Sequence, residues 1–198
     1  MARLSSAERR RQLVRAALDV LSAEGLAAAT TRRIAERAGV QLATVHYVFA
    51  DKQELLRAVL EQVTEDIAAT LERSIEPGGG LAKAIEDSVH GFWRVVEADP
   101  GLQLMQYELT THALRQPGLA GLAEWQYTRY CEVVEAALRE AGRDADRPPV
   151  PLPQLARLLV AGVDGVILQF VVHRDVGRAR QDVRNLLAAL RATALTPG

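Results

Sequence analysis

At 198 residues, with a net charge of −1 and 5% aromatic side chains, the chain is long enough for a small module joined to a larger one, and its wealth of Ala, Leu, Arg and Glu favours an all-α fold. The charge is uneven: residues 1–57 hold ten Lys and Arg against six Asp and Glu, and the other 141 hold 14 against 19, as expected of a chain that meets a polyanion at one end. A single cysteine, Cys131, excludes an intramolecular disulfide and a cysteine-built zinc site, and suits a reducing cytoplasm.

The chain opens without the apolar core of a signal peptide. Ser5-Ser6-Ala7-Glu8 forms a capping box, in which the Ser5 hydroxyl accepts from the Glu8 amide while Glu8 reaches back. Leu13, Val14, Ala17, Leu18 and Leu21 recur at three and four to give a first helix with one apolar face, and Gly25 takes the left-handed position after its end. Thr30 and Thr31 cap a second helix that runs to Ala38, where Gly39 supplies a tight turn. A third short helix covers residues 42–49. Asp51-Lys52-Gln53-Glu54 is a second capping box and opens a long fourth helix, with Leu55, Leu56, Val59, Leu60, Val63, Ile67 and Leu71 on its buried side. That helix bridges a head, residues 1–52, to a body, residues 53–198.

Pro77-Gly78-Gly79-Gly80 breaks the pattern as a flexible connection. Helices then follow at residues 81–98, 101–114, 119–141, 153–173 and 178–194, about nine in the whole chain. Asp99-Pro100 suits a helix start, with Asp as cap and Pro first in the helix. The charged, proline-containing stretch 142–151 reads as a surface loop. The longest apolar run, residues 158–172, is interrupted by Asp164 and Gln169, falls short of a membrane span and reads as a buried helix.

Thr31 to Phe49 carries the chemistry. A helix-turn-helix needs a small residue where two short helices touch, a glycine at the turn and an apolar residue on the inner face of the second helix. Ala35, Gly39 and Val45 meet these needs in order, with Ile34, Val40 and Val48 around them. The outer surface of the third helix is left with Gln41, Leu42, Ala43, Thr44, His46 and Tyr47, none of them acidic. Hydroxyls and amides there bond phosphates or base edges, and methyl groups meet thymine methyls. Lys52 stands at the start of the fourth helix, where amides and the helix dipole also favour a phosphate.

These residues resemble the signature of the TetR (tetracycline-repressor) family of transcriptional regulators, at Thr31, Arg33, Ile34, Ala35, Ala38, Gly39, Val40, Thr44, Phe49, Lys52 and Leu55. Gln41, Ala43, His46 and Val48 depart from the residues usual there. The resemblance covers residues 6–57; the body matches in length and helical pattern. It implies phosphate contacts from Thr31, Thr44, Tyr47 and Lys52, and base-edge readout from Gln41, Leu42 and Ala43. His46 fits either role, and Arg32 joins the DNA-facing set.

The resemblance also implies a homodimer on palindromic double-stranded operator DNA and an unidentified small-molecule inducer. Two half-sites about one helical turn apart double an interface too small in a monomer. Leu158, Ala161, Gly162, Gly165 and Leu168 offer one dimer face, with small residues for close approach, and Val183, Leu186, Leu187 and Leu190 offer a leucine-rich one. Inducer-site candidates in the body are Trp93, Met105, Tyr107, Glu108, Thr111, His112, Trp125, Tyr130 and Gln169. A carboxylate such as Glu108 beside aromatic rings suits a cationic ligand. No cofactor or metal is expected.

An enzyme is disfavoured: G-x-S-x-G, the P-loop, H-E-x-x-H and the glycine-rich dinucleotide turn are all missing, and His46, His90, His112 and His173 share no helical ligand spacing. His173 and Asp175 read as a helix terminus. The alternative to repression is an activator or an architectural DNA-binding protein with the same head, since activation and repression differ in where the operator lies.

Overall fold

The computed structural model describes residues 5–76, 78–142 and 149–195. Nine α-helices and a short 3-10 turn make up the regular structure among these residues: α1 Ser6–Ala28, α2 Thr31–Ala38, α3 Leu42–Val48, α4 Lys52–Ser74, α5 Gly80–Ala98, α6 Pro100–Arg115, α7 Ala120–Ala141, α8 Leu152–His173 and α9 Val176–Leu195, with the turn at Pro117–Leu119. The fold is therefore all-α, and helix bounds lie within about two residues of those read from periodicity, except that α1, expected to close before Gly25, runs on to Ala28. Pro77 of the expected connection and residues 143–148 of the expected loop lie outside the described residues.

Two compact units emerge. One takes the chain up to Thr64 together with Gly101–Gln126; the other takes Glu65–Pro100 together with the chain from Tyr127 onward. In the first, α1 packs on α2 and α3, and Leu13, Leu21, Ile34, Val45, Phe49, Leu55 and Leu60 lose essentially all contact with solvent. Each such side chain contributes roughly 1.5–3 kcal/mol relative to remaining exposed. The Arg10 guanidinium lies 4.4 Å from the centre of the Phe49 ring and donates to Glu54 Oε1 at 2.9 Å, so a charged side chain caps the apolar interior.

The capping chemistry follows the sequence with three adjustments. Ser5 and Glu8 form the full reciprocal box, and Ser5 holds the Glu8 carboxyl below the usual carboxylate range. Thr30 alone caps α2, accepting from Arg33 N at 3.1 Å; Thr31 is the first helical residue. Asp51 accepts from Glu54 N at 2.7 Å, but Glu54 reaches one residue further back, to Ala50 N at 2.8 Å. Gly25 has the expected positive φ of 79° but an extended ψ of 172°, so it is not a left-handed end. The chain breaks there and makes one more turn to Ala28.

In the second unit α8 packs against α5 and α9. By length and composition α8 is apolar enough to cross a membrane, which corrects its reading as too short. It is also not buried all round. Leu155, Ala156, Leu159, Val160, Val163, Ile167 and Phe170 face the interior, while Leu158, Leu168 and Val172 are 46%, 50% and 68% exposed. Arg174 ends the helix with φ 57° and ψ 22°, a left-handed conformation on a residue with a Cβ. Asp175 then caps α9, accepting from Arg178 N at 3.0 Å, so His173 and Asp175 do mark a helix terminus.

Candidate nucleic-acid interface

Gly39, with φ 65° and ψ 35°, closes α2 in the left-handed region, and the Val40 amide donates to Ala35 O at 3.0 Å across it. That pairing satisfies the helix-end carbonyls and turns the chain sharply into α3. Gln41 caps α3 by backbone alone, without a side-chain bond, which leaves its amide group for other partners. Val45 is the inner-face anchor of α3, buried together with Ile34 and Ala35 of α2. Gln12 Nε2 donates to Ala38 O at 2.8 Å and ties α1 to the end of α2. The orientation of α3 is thus set by core contacts, which is what a recognition element requires.

With Val45 fixed inward, the other side of α3 faces water. Gln41, Leu42, Ala43, His46 and Tyr47 are exposed and Thr44 is half-buried. Tyr47 is 86% exposed, a large ring with no packing role. No carboxylate stands on α3. Thr31, freed from capping, and Lys52, at the first turn of α4, are half-buried.

The three arginines of α2 divide by their partners. Arg33 bonds Glu24 at 2.6 Å and Arg37 bonds Asp19 at 2.8 Å; Glu24 raises the Arg33 pKa further. Both are committed to carboxylates of α1. Among the described residues Arg32 meets only Glu36, at 3.6 Å, with 83% of its side chain exposed. The sequence shows three equivalent cations, and tertiary pairing leaves Arg32 as the one available to a polyanion.

Family models match both parts of the chain. The model described as bacterial regulatory proteins of the tetR family matches residues 13–59, and that of the tetracyclin repressor-like C-terminal domain matches residues 76–193. The chain belongs to the TetR family. The nicotine-responsive transcriptional repressor HdnoR of Paenarthrobacter nicotinovorans is 29% identical over 188 residues, covering 94% of this chain and 96% of that protein. The transcriptional regulator BetI 1 of Chromohalobacter salexigens is 30% identical over 184 residues, covering 87% and 85%. Among solved structures, the multidrug binding protein EbrR in complex with imidazole superposes with a TM-score of 0.71 at 26% identity, covering 96% and 97%. HdnoR and BetI 1 are both transcriptional regulators.

In this TetR-family regulator the ligand-site candidates fall in both units. Trp93, Tyr130 and Gln169 belong to the second. Trp93 is buried edge-on to Phe170 at 5.2 Å, and Tyr130 is buried edge-on to Phe92 at 5.8 Å and beside Tyr127 at 6.3 Å. Phe92 and Trp93 are neighbours on α5, so the two ring pairs share one helix. Tyr127 donates to Asp164 Oδ2 at 3.1 Å. Trp93 Nε1 is buried without a hydrogen-bond partner. Gln169 is exposed and accepts from Arg178 at 3.3 Å.

Met105, Tyr107, Glu108, Thr111, His112 and Trp125 belong to the first unit. Met105 is buried; Tyr107, His112 and Trp125 are half-buried. Thr111 is exposed and donates back to Tyr107 O at 2.8 Å. Glu108, expected beside aromatic rings, instead accepts from the Leu26 amide at 2.9 Å. Asp164 is a carboxylate that bonds a phenol, that of Tyr127; the sequence did not single it out for this, and its place on α8 opposite Tyr127 has no signature in sequence spacing.

The expected dimer residues separate by helix. Leu158, Ala161, Gly165 and Leu168 form an exposed row on α8. Val183, Leu187 and Leu190 correct the expectation for α9: they are buried in the protomer's own interior, because α9 turns its leucine-rich face to α5 and α8. Leu186 is half-buried over Gly162, where a Cβ would come within 2.5 Å of Leu186 Cδ1. The close approach expected of Gly162 is therefore used inside the chain.

Proposed function

We propose that this regulator is a ligand-responsive repressor acting in the cytoplasm, which binds palindromic double-stranded operator DNA as a homodimer and leaves it when a small-molecule inducer binds the body. The observation that carries the reading is the exposed, acid-free outer face of α3 on a helix anchored by Val45. On this reading Gln41, Leu42 and Ala43 read base edges, Thr31, Arg32, Thr44, Tyr47 and Lys52 meet phosphates, and His46 serves either role. The exposed row of α8 joins two protomers.

Support for ligand-responsive repression comes from the relatives: HdnoR is named a nicotine-responsive repressor, and EbrR has been crystallised with ethidium and with malachite green. Induction is a population shift, in which ligand favours a body conformation that holds the paired heads in an unsuitable arrangement. A coupling of about 1–3 kcal/mol weakens operator binding roughly 5- to 150-fold.

The test is fluorescence anisotropy of the full chain on duplexes from upstream of its own coding region, at two salt concentrations and with random duplex as competitor. Salt-sensitive binding that survives the competitor and disappears in the Tyr47→Ala, Lys52→Ala double variant is expected. Equal affinity for every duplex in a selection from genomic fragments would overturn it.

A further inference from the structure

Between the last turns of α4 and the C-terminal half of α7, within the second unit, lies a cavity of about 470 Å³. Its volume falls inside the range of small-molecule sites, roughly 300–1,000 Å³. None of the nine ligand-site candidates named from the sequence lines it. The recess exists because α7 presents small side chains there. Val133, Ala136 and Ala137 of α7 face Ile75 of the segment after α4, and any larger residue at those α7 positions would fill the space. The concavity and its apolar floor make a place for the body of a ligand, independent of charge.

The rim then selects the charge. Among the described residues, Glu72, Glu76, Glu132 and Glu140 line the cavity with a single cation, Arg129. That guanidinium is already committed, at 3.1 Å to Glu65 and 3.1 Å to Glu72. Lys83 approaches Glu76 only to 3.8 Å and is bonded more closely to Asp87. The field over an apolar floor is thus negative and repels anions. A metal ion does not explain the carboxylates, since no group of three His, Cys, Asp or Glu side chains among the described residues is arranged to hold one. Apolar walls also offer nothing to a hydrated metal ion.

We propose that this cavity binds a hydrophobic organic cation, whose apolar body lies on Val133, Ala136 and Ala137 and whose charge faces Glu132. The proposal rests on the ligand-responsive reading above and names the ligand class and the site for it. Ligand here bridges α4 and α7, so occupancy bears on a helix that begins at Lys52 in the DNA-binding segment.

Isothermal titration calorimetry of the full-length protein with tetraphenylphosphonium chloride tests it. That probe carries a permanent charge and does not intercalate into DNA; uncharged triphenylphosphine oxide is the control. Saturable binding of one cation per chain is expected, at least fivefold weaker in Glu132→Gln and lost in Ala136→Trp, with the oxide binding at least tenfold more weakly. Ala136 is exposed, so the tryptophan variant should retain its helical circular dichroism; Glu132→Gln preserves shape and gives a second readout. Absence of binding, or binding unchanged in both variants, would overturn the site.

Operator affinity measured in parallel separates the two ideas. Cation-induced operator release that persists unchanged in Ala136→Trp sinks this site and leaves the regulatory reading standing. Binding abolished by Ala136→Trp, in a protein that recognises no operator, upholds the site and sinks the regulatory reading.

Discussion

The Leu26 amide donates to Glu108 Oε2 at 2.9 Å, joining residues 82 positions apart. The bond sits where α1 breaks: Gly25, with its φ of 79°, turns the Leu26 N–H out of the helical ladder, and a Cβ on Gly25 would lie 3.5 Å from the same carboxylate oxygen. A side chain of α6 thus takes over a backbone bond that α1 gives up. Removing the acceptor in Glu108→Ala should cost about 1 kcal/mol, the low end of the penalty for an unsatisfied donor, because this one is part-buried. Glu108→Gln, which keeps an acceptor, should cost less. Thermal denaturation ranks the variants, and amide exchange at Leu26 should accelerate only in the alanine variant.

The pairing of α2 arginines predicts different roles in DNA binding. Arg32→Ala should lower the slope of log affinity against log salt by about one, as expected for one lost phosphate contact. Arg33→Ala should leave that slope nearly unchanged, because its charge is held by Glu24. Tyr47→Ala should weaken operator binding while shifting stability by no more than about 0.5 kcal/mol, as is usual for an exposed side chain. Anisotropy across a salt series, with melting curves alongside, checks all three.

The proposed dimer contact on α8 and the packing of α9 can be tested apart. Leu168→Glu places a charge on the exposed α8 row and should shift sedimentation towards the 21.6 kDa monomer while the helical signal persists. Leu187→Ala, at a buried α9 position, should instead destabilise the fold by about 2–5 kcal/mol through the cavity it leaves. A Leu168→Glu protein that sediments like the parent would place the dimer contact elsewhere.

Arg174 holds a left-handed φ of 57° that glycine adopts without steric cost. Arg174→Gly should stabilise the protein modestly, by roughly 0.5–1 kcal/mol, since relief of the Cβ contact outweighs the added freedom of the unfolded chain. A rise in melting temperature is the expected result.

Burial, and then the neighbouring Asp164 carboxylate, push the Tyr127 phenol well above the usual tyrosine range. A raised folded-state pKa means the unfolded chain loses this proton first, so the stabilisation is intact below about pH 10, the unfolded value, and declines as pH rises above it. Urea denaturation between pH 8 and 11 should show a decline that is shallower in Tyr127→Phe.

The helix-turn-helix was legible in the sequence because its determinants are local. Gly39 lies at the turn, Val45 lies inside and the outer face of α3 lacks acid, all within twenty residues whose spacing fixes which way they point. Element bounds followed from the same short-range signals, with Ser5 and Glu8 pairing as expected. Where two local candidates competed, the reading was less exact: Thr30 rather than Thr31 caps α2, and both are chemically suited.

Sequence alone determined the all-helical architecture, the helix-turn-helix and the resemblance to the family, and marked out the acid-free outer face of α3, since helical periodicity, caps and turn residues act within a few positions of one another. Tertiary structure alone decided which of several equivalent residues is engaged: Arg33 by Glu24, Glu108 by Leu26, the leucines of α9 by α5 and α8, and the recess above Ala136 by the segment after α4. Periodicity shows that a face is apolar or charged, but which neighbour covers it depends on contacts between residues far apart in the chain, and those exist only once the helices have packed.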